Sequence, residues 1–410
     1  MTNPSHLAAV LALAALGCGP FAQQLAREET LASELAACAW RVREVGEGVT
    51  WSRCFARLFA APQCLNVLRI APARATTPRA LRVAAPEPFA RVPTSTLARE
   101  QDALAAVNGG FFDTKTGAPD GLLVVDGVLR ADGRGSSRAF AFVVGRDARP
   151  AITRVDAIEA DTLATALAAG PRLLHAGRPT AGPRTTDPRH PRTALGLCRD
   201  RSLLLLTADG RDERAAGLSL DELTAVLQAL GCVEALNLDG GGSTTMWLAQ
   251  DGIVNHPCDD RRFDHAGERG VANALLVCAP LVIELDEDDA TLHPPASWQT
   301  VPTRGALDGD AARSEDRDAR ARFVLRPARP GRYALELRVQ DATPTTWQVV
   351  VDGRAPAQLR ATAGARTLAL GEYAIADAGQ TLAVELTAHG DAPLVVDALR
   401  ATECAPPERR

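Results

Sequence analysis

The stretch SLDELTAVLQALGCVEALNLDGGGSTT, residues 219–245, decides the fold. Leu220, Leu223, Leu227 and Leu230 recur at three- and four-residue intervals, which predicts a helix with one apolar stripe. Ser219 stands at the N-cap, Glu222 completes a capping box three residues on, and Gly231 stops the helix. Val233 to Leu238 follows as a short apolar strand and runs into Asp239-Gly240-Gly241-Gly242-Ser243-Thr244-Thr245. A core-packing helix, a buried strand and a glycine turn bring polar groups to a strand end, where sheet-based sites gather.

The flanking chain continues the pattern. Thr193 to Cys198 and Ser202 to Thr207 pair across Arg199-Asp200, and Ala272 to Cys278 is a last strand. Upstream, Leu65 to Ile70, Ala80 to Ala84, Ala103 to Val107 and Ala139 to Gly145 read as strands. Asp126-Gly127 between apolar runs predicts a hairpin over Leu122 to Leu129. Helices are expected at Gln23 to Ala37, Ser95 to Gln101 and Asp161 to Ala169. After Pro280 helical patterns vanish, and short alternating runs recur between Gly, Pro and Asp turns, which predicts an antiparallel sandwich. The expected segments are a leader at 1–18, an N-terminal extension at 19–60, a catalytic domain at 61–280 and a β-sandwich at 281–405.

Of 410 residues, 46% are hydrophobic and 23% charged, which excludes wholesale disorder. The net charge of −5, with no long basic run, argues against nucleic acid as a partner. Leu7 to Leu16 is an apolar run, too short to span a bilayer but suited to a signal peptide. Ala15-Leu16-Gly17-Cys18 resembles a lipoprotein cleavage site, which would lipidate Cys18 and make it the one membrane anchor. Export to the periplasm or cell surface is therefore expected. Without Cys18, eight of the 9 cysteines remain. An even set in an exported chain favours disulfides, and the absence of a CxxC pair gives zinc little support.

Three successive glycines let backbone approach something closely, and their N–H groups can form an anion-holding nest. Asp239 adds a carboxylate, and Ser243 and Thr244 add hydroxyls. The run lacks a GKS or GKT sequence, so it is not a nucleotide P-loop. Further polar groups follow strands: Asn108-Gly109-Gly110-Phe111-Phe112-Asp113, Arg192-Thr193, Asp209-Gly210-Arg211, and Glu268-Arg269 leading to Asn273. His175, His190, His256 and His265 carry no metal spacing. No cofactor is required. Asp259, Asp260 and Asp264 could take a divalent cation such as calcium, a solvated acidic loop being the plainer assignment.

Together these runs resemble the phosphodiester glycosidase family, over roughly Leu65 to Cys278. The matching pieces are NGGFF from Asn108, GPRLL from Gly170, RTALG from Arg192, DGR from Asp209, LNLDGGGSTT from Leu236, Asn255 to Pro257, and ERGVANAL from Glu268. The chain departs from the family at Asn255-His256-Pro257-Cys258, where Ser is usual last, and at Gly270, where Pro is usual. The insert Asp259 to Gly267 is longer than usual. The resemblance implies an α+β fold with a mixed sheet. It also implies cleavage of an α-linked N-acetylglucosamine from a phosphodiester, leaving a phosphomonoester. The segment after Pro280 resembles the golvesin/Xly carbohydrate-binding-like domain at Ala296-Ser297-Trp298, Gly331-Arg332-Tyr333, Leu370 to Tyr373 and Val396 to Arg400. That implies a jelly-roll-like sandwich.

Such a bond breaks through an oxocarbenium-like state while negative charge moves to the leaving phosphate. Asp239 and Glu268 are the expected catalytic carboxylates. Arg192 and Arg211 are expected to hold the phosphate with the glycine-run N–H groups. Asn108, Gly109, Gly110, Asp209, Gly240, Gly241, Gly242, Ser243, Thr244, Arg269 and Asn273 complete the expected substrate site. A surface polysaccharide carrying such diesters is the implied partner. Two alternatives are a non-catalytic glycan-binding envelope protein on the same fold, and a phosphodiesterase that leaves the sugar C1–O bond intact.

Overall fold

The computed structural model describes residues 30–72, 80–145, 149–180 and 187–279. Within 282–403 it describes all but 303–306, 308–309, 328–330, 339–345, 353–356, 361–366, 376–379 and 390–393. The expected leader with Cys18, and Cys404, lie outside these residues. Contacts divide the chain into two units, Met1–Ala73 with Ala80–Ala279, and Arg74–Arg79 with Pro280–Arg410.

The first unit opens with a helix at 30–37 (α1), the described end of the one expected from Gln23. Then come β1 (Arg41–Gly46), β2 (Val49–Leu58), β3 (Ala61–Ile70), β4 (Ala80–Ala84), α2 (Thr94–Arg99), β5 (Ala103–Asn108), β6 (Leu122–Val125), β7 (Val128–Asp132), β8 (Phe140–Gly145) and β9 (Pro150–Arg154). After them come β10 (Leu163–Ala169), β11 (Arg172–His175), β12 (Arg192–Cys198), β13 (Leu203–Ala208), α3 (Leu220–Ala229), β14 (Cys232–Asn237), β15 (Met246–Leu248) and β16 (Ala274–Cys278). Two-residue strands lie at Val92–Pro93, Arg178–Pro179, Gly252–Ile253 and Gly270–Val271.

Three larger sheets result, beside a two-stranded one that pairs Val92–Pro93 with Gly270–Val271. The large one runs β1-β2-β3-β13-β12-β14-β11 and ends on Arg178–Pro179. The others run β9-β8-β10-β6-β7 and Gly252–Ile253-β15-β5-β16-β4. The unit is α+β, but its described strands pair antiparallel throughout, which corrects the expected mixed sheet. β1 and β2 continue the sheet from β3, so residues 41–58 are part of this unit rather than an extension ahead of it.

Leu203 to Leu206 shows why β13 has no polar face. Leu203 and Leu205 pack into a core with Trp51, Leu236, Phe142 and Leu275, on the side of the two smaller sheets. Leu204 and Leu206 point the other way, toward Leu31 and Leu35 of α1 and Leu223, Val226 and Leu227 of α3. A sheet covered on both faces needs continuous apolar runs. The α3 capping box forms as expected: Glu222 N donates to Ser219 Oγ at 3.1 Å, and Ser219 N donates to the Glu222 carboxylate at 2.9 Å. Asp126 and Gly127 turn the β6–β7 hairpin with φ of 49° and 78°.

The helix expected at Asp161 to Ala169 is instead strand β10. Its alanine-rich sequence favours helix locally, but β10 is the central strand between β8 and β6. There small side chains are needed, because the Ala168 methyl lies only 2.6 Å from where a Cβ on Gly121 would sit, and Gly110 packs as closely on the Ala168 carbonyl oxygen. Tertiary packing overrides propensity.

The second unit is all-β. One sheet runs Val282–Asp286, Ala398–Glu403, Gly331–Arg338 and Thr367–Ile375; another runs Thr291–His293, Arg320–Leu325, Leu382–His389, Thr346–Val351 and Ala357–Arg360. Phe323, Leu325 and Leu386 from the second meet Leu335, Leu337 and Leu399 from the first in one core, which makes a sandwich. Trp298–Pro302, Asp310–Ser314 and Leu394–Val396 form a third, smaller sheet.

Candidate active site

Asp239 leaves β14 where the large sheet meets the sheet containing β5 and β16. The seam is locked by Asn108, the last residue of β5, whose side chain is fully buried. Its amide donates to the Asp239 carbonyl oxygen at 2.7 Å, while its Oδ1 accepts from the Thr193 hydroxyl at 2.7 Å and the Thr245 N–H at 3.1 Å. Gly109 adds its carbonyl, 3.1 Å from the Asp239 N–H. Asn273, just before β16, accepts from Gly109 N at 3.0 Å through its carbonyl and from Gly110 N at 2.8 Å through Oδ1. These residues form the scaffold beneath Asp239.

The glycine run then turns tightly over Pro191. Gly241 has φ of 62°, and a methyl on Gly240 would lie 2.8 Å from the Pro191 carbonyl oxygen. The N–H groups of Gly240, Gly241, Ser243 and Thr244 bond to Asp239 Oδ1, Pro191, Gly240 and Gly241 respectively. An anion nest drawing on the whole run is therefore not what forms. Asn255 grips the turn from its far side, donating to the Thr244 carbonyl at 3.0 Å and accepting from Met246 N at 2.7 Å.

Positive charge comes from arginines instead. A methyl on Gly242 would overlap the Arg269 guanidinium and the Asp259 carboxylate, and one on Gly241 would sit 3.0 Å from Arg211 Nη2. Arg269 is steadied by Asp259, Nε to Oδ1 at 3.1 Å. Arg138 lies 3.7 Å over the Phe111 ring and donates to Asp120 at 2.9 Å. Burial pushes the Asp239 carboxyl above its ordinary value, opposed by the Ser243 hydroxyl, the Gly240 N–H and the fields of Arg269 and Arg138. His190, 3.4 Å from Arg211, is held below its ordinary value by burial and by Arg211 and Arg192, which keeps it neutral at pH 7.

Thus Asp239, Arg211, Arg269 and the glycine turn come together. Two expected residues turn elsewhere. Arg192 donates to the Leu218 carbonyl at 2.9 Å and pairs with Asp187 at 3.2 Å, both side chains largely buried. Both oxygens of Glu268 are taken by Ser95, from its N–H at 2.8 Å and its hydroxyl at 2.7 Å. In extended chain, neighbouring side chains point opposite ways, so Arg269 reaches the turn while Glu268 ties down the start of α2. Asp209 is fully buried and accepts from Asn255 Nδ2, His256 N and His256 Nδ1. Arg138, His190 and Asp259 were missed as site residues. The aromatic pair after Gly110 was the available signal for a stacked cation. In the insert, Asp260 and Asp264 accept from nearby backbone N–H groups, as solvated turns do.

Residues 101–278 match the family model described as phosphodiester glycosidase. This stretch is a phosphodiester glycosidase domain. The SPbeta prophage-derived uncharacterized protein YomE of Bacillus subtilis strain 168 is 28% identical over 209 residues, covering 44% of this chain and 32% of its own length. The N-acetylglucosamine-1-phosphodiester alpha-N-acetylglucosaminidase of Mus musculus is 43% identical over 68 residues, covering 17% of this chain and 13% of its own. The chain therefore spans well under two thirds of either relative. Among solved structures, the zebrafish N-acetylglucosamine-1-phosphodiester alpha-N-acetylglucosaminidase catalytic domain, auto-inhibited by its pro-peptide, is 19% identical over 58% of this chain and 87% of that one, with a TM-score of 0.47. A family 35 carbohydrate binding module from Clostridium thermocellum is 14% identical over 30% of this chain and 97% of its own, with a TM-score of 0.24. Among the described residues no helix is long and apolar enough to cross a membrane.

Proposed function

We propose that the phosphodiester glycosidase domain, ending near residue 280, belongs to an exported hydrolase. It removes an α-linked N-acetylglucosamine, or a similar sugar, from a glycosyl phosphodiester and leaves a phosphomonoester. The observation that carries this is the half-buried Asp239 carboxylate at a strand end, faced by Arg269 and Arg138 beside a glycine turn that Arg211 overlies. Asp239 serves as nucleophile or base at the anomeric carbon. Arg211 and Arg269 take up the charge that moves onto the leaving phosphate, each charge-assisted contact contributing about 1.5–3 kcal/mol. Phosphate departs with little need of a proton, so one carboxylate suffices, in keeping with the engagement of Glu268 by Ser95. Glu268 is then a positioning residue for Arg269. The 281–405 sandwich is proposed to hold glycan.

Two thiol pairs support export. Cys198 and Cys232 are cross-strand partners with Sγ atoms 3.3 Å apart, and Cys38 packs against the same core cluster as Cys54. A thiol–disulfide exchange partner in an oxidising compartment would remove two protons and two electrons from each pair. The hydrogen bond from Cys232 lowers the Cys198 thiol.

The experiment is product analysis on a panel of α-N-acetylglucosaminyl phosphodiesters, with free sugar, sugar phosphate and phosphomonoester measured separately. Free sugar with phosphomonoester supports the proposal. Sugar phosphate would make the protein a phosphodiesterase, and glycan binding without turnover would make it a scaffold.

A further inference from the structure

A second constellation lies below the Arg211 side of the site, and the glycosidase chemistry does not use it. Asp209 N donates to the Cys64 carbonyl at 3.0 Å, so the end of β13 places Asp209 beside Cys64 of β3. The segment after Asn255 then lays His256 across both. His256 Nδ1 is 2.7 Å from Asp209 Oδ2 and 3.9 Å from Cys64 Sγ, and one donor atom from each residue lies within 4.8 Å of the others. Cys64 and Asp209 are fully buried, and His256 is 9% exposed. The imidazole is fixed in its plane, stacked on Phe263 at 3.9 Å and 6° and on His265 at 4.6 Å and 27°.

We propose that Cys64, Asp209 and His256 bind a borderline-soft divalent cation of the zinc class. The alternative of a proton-relay triad fails on geometry. A relay needs its base and its orienting carboxylate on opposite ring nitrogens, whereas here thiol and carboxylate converge on the same one, Nδ1. Convergence of three donors on one point is what a metal requires. The donor set is thiolate, imidazole and carboxylate, each a zinc ligand type. Its two negative charges would balance a divalent ion, which matters where unpaired buried charge is costly. Zinc bonds of about 2.0–2.3 Å in tetrahedral geometry separate ligand atoms by roughly 3.3–3.6 Å. The observed 2.7 and 3.9 Å straddle that range, so sub-ångström shifts suffice.

The consequence for the fold is a staple. The ion would join β3, the Asp209-Gly210-Arg211 turn and the segment leading to Cys258, and so fix the base from which Arg211 reaches Gly241. This is independent of the catalytic assignment.

The test is titration of the reduced, metal-free full chain with Co²⁺, read as a thiolate-to-cobalt charge-transfer band, with Zn²⁺ and chelator effects on Tm in parallel. The expected result is one equivalent bound with a thiolate band, a Tm raised by Zn²⁺, and both effects lost in Cys64→Ser and in His256→Gln. Cys198→Ser should keep them, which separates this site from the Cys198–Cys232 pair at the other end of the sheet. Should Cys64→Ser fail to fold, His256→Gln decides. No thiolate band in the wild type, a band surviving in folded Cys64→Ser or in His256→Gln, or a band lost in Cys198→Ser would overturn the proposal.

Discussion

Replacing Asn108 by alanine should be among the most damaging single changes in the glycosidase domain, because the structure spends its side chain on the fold rather than on substrate. The substitution removes three hydrogen bonds at once and leaves their partners without an acceptor or donor: the Thr193 hydroxyl, the Thr245 N–H and the Asp239 carbonyl. Thr193 and Thr245 are fully buried, so water is a poor substitute. At about 1–1.5 kcal/mol for each bond, the loss is about 3–4.5 kcal/mol. That is a large share of the 5–15 kcal/mol typical of a folded domain. Because the third bond fixes the backbone of Asp239, kcat should fall with stability while KM changes less. Asn108→Asp keeps an acceptor for Thr193 and Thr245 but loses the amide donor and buries a charge, so it should rescue neither property. Urea unfolding at 25 °C, followed by tryptophan fluorescence, gives the stability directly, since Trp247 is buried in the adjacent strand β15. A loss below about 1 kcal/mol for Asn108→Ala, or unchanged turnover, would refute the clamp.

The two arginines expected to share the phosphate should separate. Arg192→Ala strands Asp187 in a largely buried pair and should cost about 3 kcal/mol of stability, whereas exposed Arg211 should change stability by no more than about 0.5 kcal/mol and raise KM instead; denaturation and kinetics on both variants check this. Asp239 should show in the pH dependence of Tm. Its folded value is raised, so its relative contribution is present at low pH, where both states are protonated, and is lost as pH rises through that folded value. Asp239→Asn should therefore be as stable as wild type at low pH and more stable at neutral pH; a variant less stable at neutral pH would contradict the buried-charge account. The Cys198–Cys232 and Cys38–Cys54 pairs should each appear as a cross-linked peptide in non-reducing mass spectrometry of protein from the exported fraction, and unlinked thiols there would remove that support for export. Glu268→Gln, which keeps an acceptor for Ser95, should retain much of the activity; a loss as large as that of Asp239→Asn would restore Glu268 as a catalytic carboxylate.

Local signals were legible wherever the chemistry was local. The Ser219–Glu222 capping box, the Asp126-Gly127 hairpin and the strands that end on Asn108 and Asp239 could all be read from periodicity and turn residues. Strand β10 could not, because Ala166 to Ala169 owe their conformation to neighbours on both sides and to the close approach of Gly110. Sheet direction was hidden for the same reason, since pairing joins segments distant in sequence. Of the site, Asp239 and the glycine turn were visible as a motif. Arg192 and Glu268 were visible too, but a motif does not say which way a side chain turns. Their partners, Asp187, Leu218 and Ser95, lie outside the runs that drew attention. Arg138 reaches the site from the segment before β8 and carried no sequence mark of its own.

The central claim is that Asp239 breaks a sugar–phosphate bond. Its most direct test is the rate of free-sugar release from an α-N-acetylglucosaminyl phosphodiester by wild type and by Asp239→Asn, each shown to be folded by circular dichroism and Tm. Turnover by the wild type that falls by orders of magnitude in the variant, with free sugar and phosphomonoester formed in equal amounts, is the predicted result. Equal turnover by both proteins would contradict it.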